Sequence, residues 1–370
     1  MLAHHPQEAV LEHAATQVGI ERLADIPGQR AALRFDRLAF GFAAPALVPA
    51  IRAVAQDSHG HAEATPATAT GESDNHAGHT ESPVPAASVQ PFQRYDPYLA
   101  PAKPHRKKFA IDVQDVTVEI APGVPFAGWS YDGTIPGRTF RVVEGDRVDI
   151  TLRIDPTANA HHSIDIHAAR TPPDVDFVTI NPGEQFTWNF RAERPGAYLY
   201  HCGTLETLMH TGAGMYGAFI VDPKEGWSPA QELILVQSDF TLADGANGVK
   251  VPDMNRMIGA RDVDYVVFNG HATQYVDEPI QVKVGEPIRI FVVNAGPNVW
   301  SSFHVVGAIF DRVLVNASPK NQLFDLQSVS IGPGESTCVE FTLDEPGVYS
   351  AVNHAFGHAA LGAVALIEAT

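Results

Sequence analysis

The sequence is poor in cysteine and in positive charge. Its 370 residues include two cysteines, and 25 Lys and Arg stand against 43 Asp and Glu, which gives a net charge of -18 at pH 7. Because nucleic-acid binding depends on cationic contacts to phosphate, this balance argues against a nucleic-acid partner. A basic protein partner suits the charge better.

The apolar stretch near the N-terminus is short. Residues 38–51 form fourteen uncharged, mostly apolar positions, too few to span a membrane comfortably as an α-helix. The chain has instead 30 Gly and 28 Pro, and short segments that alternate polar and apolar residues between turn signals. This pattern predicts an all-β fold built from β-sandwiches.

Cys202 is followed by His210 and then by Met215 in one predicted loop. A thiolate, two imidazoles and a weak thioether are the ligands of a trigonal electron-transfer copper. Each residue alone is more often ordinary packing, but this order of ligand types predicts copper. Because Cys202 is assigned to a metal and Cys338 is expected to pack in a strand, no disulfide framework is implied.

A second imidazole has to come from a neighbouring strand, and the segment that holds His162 and His167 alternates like a half-buried strand. On a strand, residues an odd number of positions apart point to opposite faces. His162 and His167 therefore diverge, as do the adjacent His201 and Cys202, while Asp165 shares the face of His167. Strand parity thus predicts two metal sites, one formed by His162, Cys202, His210 and Met215, and one formed by His167 and His201 with Asp165 beside them.

The chain repeats one pattern in two halves. Pro182 and Pro195 frame a strand and lie thirteen residues apart, and Pro333 and Pro346 frame another in the same way. A period of roughly 140 to 150 residues indicates duplicated domains. We therefore predict an N-terminal extension over 1–105 and two β-sandwich domains over 106–223 and 224–370.

The second domain lacks counterparts of the thiolate and thioether ligands but has His304 and His354. A site with only His167 and His201 needs a third ligand, which we assign to His354. If that histidine comes from a neighbouring chain, the site forms at a subunit interface and catalysis requires an oligomer. His358 is the alternative, as a replacement or a supplement.

These residues resemble the signature segments of the copper-containing nitrite reductases. The resemblance covers roughly 106–370 and is carried by the segments 162–167, 200–202, 214–217, 301–307 and 352–354. That family is a homotrimer of two-domain, Greek-key cupredoxin subunits with one type 1 and one type 2 copper each. The resemblance implies type 1 ligands His162, Cys202, His210 and Met215, type 2 ligands His167, His201 and His354 of the partner subunit, and an acid/base pair of Asp165 and His304.

The resemblance also implies an activity, the dissimilatory-type one-electron reduction of nitrite to nitric oxide and water. A small donor, either a cupredoxin or a cytochrome c, is expected to reduce the type 1 copper, which feeds the type 2 copper through Cys202 and His201. Val306 stands where a larger aliphatic residue commonly shapes the substrate pocket of this family.

Two other functions fit the same scaffold. A laccase-like multicopper oxidase reduces oxygen at a trinuclear cluster built from His-X-His pairs, and no such pair occurs beyond the N-terminal extension. Nine histidines lie between His161 and the C-terminus, and the seven left after the type 1 site are too few. A copper electron-transfer protein is the second alternative, and it would have no use for Asp165 and His304.

The N-terminal extension has a different composition. Residues 57–104 are rich in Ala, Thr, Ser, Pro and His, which predicts a disordered or loosely draped linker. The segment 30–55 places arginines before an apolar stretch, in the order of a signal peptide or an uncleaved anchor. Because the family acts outside the cytoplasm, we expect a periplasmic or other extracytoplasmic location, with membrane association through this segment as an option.

Overall fold

The computed structural model describes residues 81–86, 88–102, 107–259 and 262–370. The predicted all-β class is confirmed, because strands dominate this part of the chain and its α-helices have only four to six residues. The predicted signal or anchor at 30–55 lies outside the described residues. Within them, no helix is long and apolar enough to cross a membrane.

The elements are numbered in chain order. The strands are β1 Lys107–Ala121, β2 Val124–Tyr131, β3 Phe140–Val143, β4 Arg147–Ile154, β5 Asp165–Ile166, β6 Gln185–Arg191, β7 Gly196–His201, β8 Tyr216–Asp222, β9 Gln231–Phe240, β10 Leu242–Asp244, β11 Lys250–Pro252, β12 Tyr265–Phe268, β13 Ile280–Val282, β14 Ile288–Gly296, β15 Ser301–Val305, β16 Phe310–Val315, β17 Gln322–Leu326, β18 Ser328–Ile331, β19 Ser336–Phe341, β20 Gly347–Asn353 and β21 Val364–Ala369. The helices are α1 Pro173–Asp176, α2 Thr207–Gly212, α3 Met254–Gly259, α4 Gln274–Asp277 and α5 Phe356–Ala360, with a 3₁₀ turn at Ala246–Gly248.

Two sheets enclose the first core. One has the strand order β10-β11-β2-β1-β4-β6 and the other has the order β3-β8-β7-β5. The buried aromatic side chains of Trp129, Tyr131, Trp188 and Phe219 belong to the core cluster between them. Strands β10 and β11 follow residue 224 in sequence, but they extend the first sheet. The domain limits at 106–223 and 224–370 stay a prediction.

Two further sheets enclose the second core. Their strand orders are β12-β9-β14-β19-β16-β17 and β13-β21-β20-β15-β18. Ile290, Phe303, Phe310 and Phe341 lie in the core cluster between them. The two sandwiches confirm the prediction of tandem cupredoxin-like folds.

A third apolar layer joins the two sandwiches, and β8, which is apolar from Gly217 to Val221, is covered on both faces. Ala218 and Ile220 pack against β9 and β14 residues such as Ile234 and Phe291, while Phe219 points into the first core. All seven residues of β8 are buried. A strand covered on both faces has a continuous apolar run rather than an alternating one.

The predicted strand over 160–167 is much shorter than expected. Regular pairing is limited to β5, where Asp165 lies opposite His201 of β7. His162 makes an isolated bridge to Ile180 instead, and the backbone N–H of Ser163 points to the Cys202 sulfur. The backbone groups before β5 are therefore bonded outside a regular ladder, which ends the strand.

Part of the predicted linker packs against the sandwiches. The backbone N–H of Tyr95 donates to the Gln274 side chain, Tyr98 bridges to Leu233, and Tyr95 and Leu99 pack against the third apolar layer. These aromatic and aliphatic side chains bury apolar surface that the Ala- and Thr-rich composition upstream cannot provide. Residues 57–80, 87, 103 and 104 of the predicted linker lie outside the described residues.

Candidate copper centres

Three potential metal ligands meet inside the first sandwich. The Nδ1 atoms of His162 and His210 lie 3.1 Å apart, and the Cys202 sulfur lies 4.0 Å and 3.5 Å from them. All three side chains are buried. We call His162, Cys202 and His210 the buried cluster. Strand parity predicted that these residues come together, and the structure places them together.

The loop from Cys202 to Met215 is closed by backbone hydrogen bonds. The N–H of Cys202 donates to the Met215 carbonyl at 3.1 Å, and the N–H of Met215 donates to the His210 carbonyl at 3.1 Å. Gly214 precedes Met215 with φ +112°, and a side chain there would collide with Ile135. Glycine at this turn therefore lets the chain bury Met215 in the same core as Cys202.

Burial fixes the protonation of the two imidazoles. Desolvation, helped by neighbouring histidines, lowers the pKa of His162 to about 2 and that of His210 to about 4. Both rings are therefore neutral at pH 7 and keep a lone pair for a metal. Burial also raises the pKa of the Cys202 thiol, although hydrogen bonds from Ser163 and Thr204 oppose this. A bound cation is what would hold that thiol as a thiolate.

A second group lies on the other face of the sheet. The Nε2 atoms of His167 and His201 are 3.0 Å apart, and Asp165 Oδ2 is 3.9 Å from His201 Nε2. The ligand atoms of the three residues lie within 4.8 Å of one another, and His167 is exposed. We call Asp165, His167 and His201 the surface cluster.

The peptide that follows His201 links the two clusters. His201 Nδ1 lies 2.9 Å from the Cys202 carbonyl oxygen, which can only accept, so Nδ1 carries the proton. In the neutral ring this leaves the Nε2 lone pair directed at His167. Burial and the neighbouring His201 lower the pKa of His167, against the opposing effect of Asp165, which favours a neutral ligand there as well.

His304 and His354 form a separate pair in the second sandwich. Their ring centroids lie 5.5 Å apart, and the His354 ring lies 4.5 Å from the ring of Phe356. His304 Nδ1 hydrogen-bonds to the Gln327 carbonyl. Neither histidine belongs to the surface cluster of the same chain. The single chain thus brings together every predicted ligand of the second site except His354.

Comparison with known proteins places this arrangement in a family. Residues 112–226 match the family model described as multicopper oxidase. The chain is 37% identical over 291 residues to the copper-containing nitrite reductase of Neisseria gonorrhoeae, covering 76% of this chain and 74% of that protein. The chain belongs to the copper-containing nitrite reductases. Residues of both clusters fall inside the matched regions.

Solved structures of nitrite reductases share the fold. The copper nitrite reductase of Nitrosomonas europaea matches with a TM-score of 0.67 and 35% identity, covering 72% of this chain and 94% of that one. The enzyme of Thermus scotoductus matches with a TM-score of 0.66 and 33% identity, covering 72% of this chain and 62% of that one. Both similarities extend well beyond the segment matched by the family model.

The residues present fit the copper of a nitrite reductase. The buried cluster offers two neutral imidazoles and a thiol, the soft and borderline donors that copper prefers. The surface cluster offers two imidazoles that approach each other through Nε2 beside a carboxylate. In both places the facing nitrogen atoms are close enough to share one ion.

Sequence reasoning missed the residues that surround the buried cluster. The Trp129 ring centroid lies 5.0 Å from that of His162 and 4.7 Å from that of His210. Ser163 Oγ accepts from the Gly203 N–H and from the Thr204 hydroxyl beside the Cys202 sulfur. A buried tryptophan or a serine beside a histidine has no pattern that distinguishes it from ordinary core packing, so no sequence signal identified them.

Proposed function

We propose that this chain reduces nitrite by one electron to nitric oxide and water. The observation that carries the proposal is the pair of clusters on opposite sides of the His201–Cys202 peptide. Similarity to three nitrite reductases supports this activity over the laccase-like alternative. Formation of nitric oxide from nitrite by the copper-loaded protein under anaerobic conditions tests it, and a copper-loaded protein that forms none contradicts it.

The proposed cofactors are two copper ions per subunit. His162, Cys202, His210 and Met215 would hold a type 1 copper, and the buried, neutral imidazoles support that assignment. His167 and His201, with His354 of the partner subunit, would hold a type 2 copper. When bound, the copper ions supply the electron and polarise an oxygen of nitrite.

Asp165 of the surface cluster and His304, the neighbour of His354, would handle two protons. The nitrite N–O bond breaks, and the departing oxygen leaves as water after it takes both protons. Asp165 lies 3.9 Å from His201 Nε2, where its carboxylate can orient a ligand and relay a proton. His304 is held through Nδ1 by Gln327, which leaves Nε2 free to carry the second proton. Val306, which is 36% exposed just after β15, would shape the substrate pocket.

A homotrimer would complete the second site. His354 lies in an exposed position beside His304 rather than in the surface cluster of its own chain, which supports a ligand supplied between subunits. Mixing His167→Ala subunits with His354→Ala subunits tests this, because some interfaces of a mixed oligomer would carry all three ligands. Recovery of activity on mixing is the expected result, and two inactive variants that stay inactive in mixed oligomers contradict a shared site.

The electron donor and the location belong to the same proposal. A net charge of -18 favours a small donor with a basic surface, either a cupredoxin or a cytochrome c. The segment 30–55 would direct the chain to the periplasm or hold it at the membrane, where the reaction would form part of denitrification. Fractionation of cells that express the full chain tests the location, and a purely cytoplasmic enzyme contradicts it.

A further inference from the structure

Asn353 is a fully buried amide directly before His354. It is the last residue of β20, which pairs with β15 through Phe303 opposite Asn353 and His304 opposite Val352. Past this point the chain leaves the ladder and carries His354 into the exposed turn before α5. The orientation of His354 therefore depends on the contacts that fix the backbone at the end of β20.

The Asn353 side chain continues the strand pairing beyond the ladder. Its Oδ1 accepts from the Ser302 N–H at 3.1 Å and from the Ala355 N–H at 3.2 Å. Its Nδ2 donates to the Trp300 carbonyl at 2.9 Å. The N–H of His354 donates to the Ser302 carbonyl at 2.7 Å. One amide thus joins the strand that carries His304 to both sides of His354.

A chain of buried amides anchors Asn353 to the second core. Its Nδ2 also donates to Gln237 Oε1 at 3.2 Å, and Gln237 Nε2 lies 3.5 Å from Asn294 Oδ1. Asn294 Nδ2 donates to the carbonyls of Val299 and Ile331 at 2.8 Å and 2.9 Å. Gln237 and Asn294 are both fully buried. Strands β9, β14 and β15 are therefore tied to the turn at His354 through polar groups that have no access to water.

Asn353 also contacts the alternative ligand. Its Nδ2 lies 3.4 Å from Nδ1 of His358, which is half-buried in α5. The same amide therefore contacts the turn on the side of His358 as well as on the side of His354. Groups that orient metal ligands in this way commonly change metal affinity when they are removed.

We propose that Asn353 is a positioning residue that sets the relative placement of His304 and His354. The inference rests on the proposed role of His354 in the second copper site. It identifies an amide, rather than the strand pairing alone, as the group that fixes the proton donor and the ligand in one geometry. Asn353 touches neither nitrite nor copper in this account.

The test compares Asn353→Ala with Asn269→Ala in the full chain. Asn269 is a matched control, because it is also a buried asparagine with hydrogen bonds to Val236, Ile234 and Tyr275, and none of these carries a candidate ligand. Copper affinity of the second site is measured by chelator competition, and its coordination by the hyperfine splitting in electron paramagnetic resonance. The visible absorption of the copper–Cys202 bond reports on the first site of the same molecule.

We expect Asn353→Ala to weaken the second site at least about tenfold and to alter its hyperfine splitting, while the Cys202 absorption stays as in the wild type. Asn269→Ala should leave both sites unchanged. Asn353→Asp keeps the acceptor for Ser302 and Ala355 but loses the donor to Trp300 and Gln237, so it should recover part of the affinity, and it is measured in place of the alanine variant if that variant fails to fold. Wild-type affinity and splitting in Asn353→Ala, or loss in both asparagine-to-alanine variants alike, overturn the inference.

The readout separates this inference from the proposed function. If the wild-type protein binds copper at both sites but forms no nitric oxide, the proposed activity fails while the comparison of copper affinities still decides the role of Asn353. If the wild type is active and Asn353→Ala binds copper normally, the positioning inference fails alone.

Discussion

His201 and Cys202 are adjacent in the chain, but their side chains lie in different clusters. The Cys202 sulfur lies 3.5 Å from His210 Nδ1 inside the core, whereas His201 Nε2 lies 3.0 Å from His167 Nε2 on the opposite face. The His201 Nδ1 atom donates to the Cys202 carbonyl, in the peptide that follows Cys202, and so ties the ring to the backbone of Cys202. A short covalent path thus connects the two candidate centres.

This relationship predicts that the two centres can be removed separately. Cys202→Ser should abolish the visible thiolate–copper absorption and leave the second copper signal intact, because serine does not replace a soft thiolate ligand. His201→Ala should do the reverse. Absorption and electron paramagnetic resonance spectra of the copper-loaded variants check both. Loss of both signals in either variant would argue against two independent centres.

Asp165→Asn is expected to slow turnover without removing copper. The carboxylate lies 3.9 Å from His201 Nε2, and an amide there can neither accept nor relay a proton in the same way. We expect kcat to fall by about 100-fold. Steady-state kinetics with copper analysis measure this, and Asp311→Asn, at an exposed position on β16, is the control. A kcat within about twofold of the wild type would remove Asp165 from the acid/base pair.

Two histidines are candidates for the third ligand of the second site, and copper binding by variants distinguishes them. His354 is exposed beside His304, whereas His358 is half-buried with Nδ1 3.4 Å from the Asn353 amide. His354→Ala should therefore lose the second copper, and His358→Ala should keep it. Copper content per chain gives the answer. The opposite pattern would assign the ligand to His358.

Asp239 predicts a pH dependence of stability that does not involve the copper ligands. Burial raises its pKa from 3.8 to about 6, although Oδ1 accepts from the N–H groups of Asn298 and Val299. Because the folded-state pKa lies above the unfolded value, folding favours the protonated form. The contribution of Asp239 to stability therefore falls as pH rises from 3.8 to about 6 and stays low above that range.

Asp239→Asn should remove this loss. Relative to the wild type, its free energy of unfolding should be higher by up to about 3 kcal/mol above pH 6, with the difference shrinking towards pH 4. Denaturant unfolding at several pH values measures the difference. Asp112→Asn, at an exposed ion pair with Arg153, should change stability by less than about 1 kcal/mol at every pH. A constant difference for Asp239→Asn would contradict the buried-carboxylate account.

Strand parity separated His162 and Cys202 from His167 and His201 as the structure does, even though the strand itself is mostly absent. His162 and His167 diverge as predicted, yet only Asp165–Ile166 of the segment 160–167 is paired as a strand. The grouping survives because an extended chain alternates its side chains whether or not a neighbour pairs with it. The roles of these residues as type 1 and type 2 ligands stay predictions.

The supporting residues could not be found from sequence. The contact of Trp129 with both imidazoles and the four hydrogen bonds that the Asn353 side chain makes within 3.2 Å depend on long-range packing. Packing of residues 88–102 depends on Tyr95 and Leu99, two side chains in a segment whose composition otherwise predicts disorder. Composition and periodicity report on local preference and average burial, and they do not specify which distant groups meet.

The most direct test of the account is nitric oxide production from isotopically labelled nitrite, run anaerobically with a reduced mediator. Wild-type protein and His201→Ala are compared after the Cys202 absorption has shown an intact first centre in both. The account predicts turnover in the wild type and a loss of at least about 100-fold in the variant. A wild-type protein that holds both coppers and forms no nitric oxide would contradict it and would instead indicate an oxidase or an electron carrier.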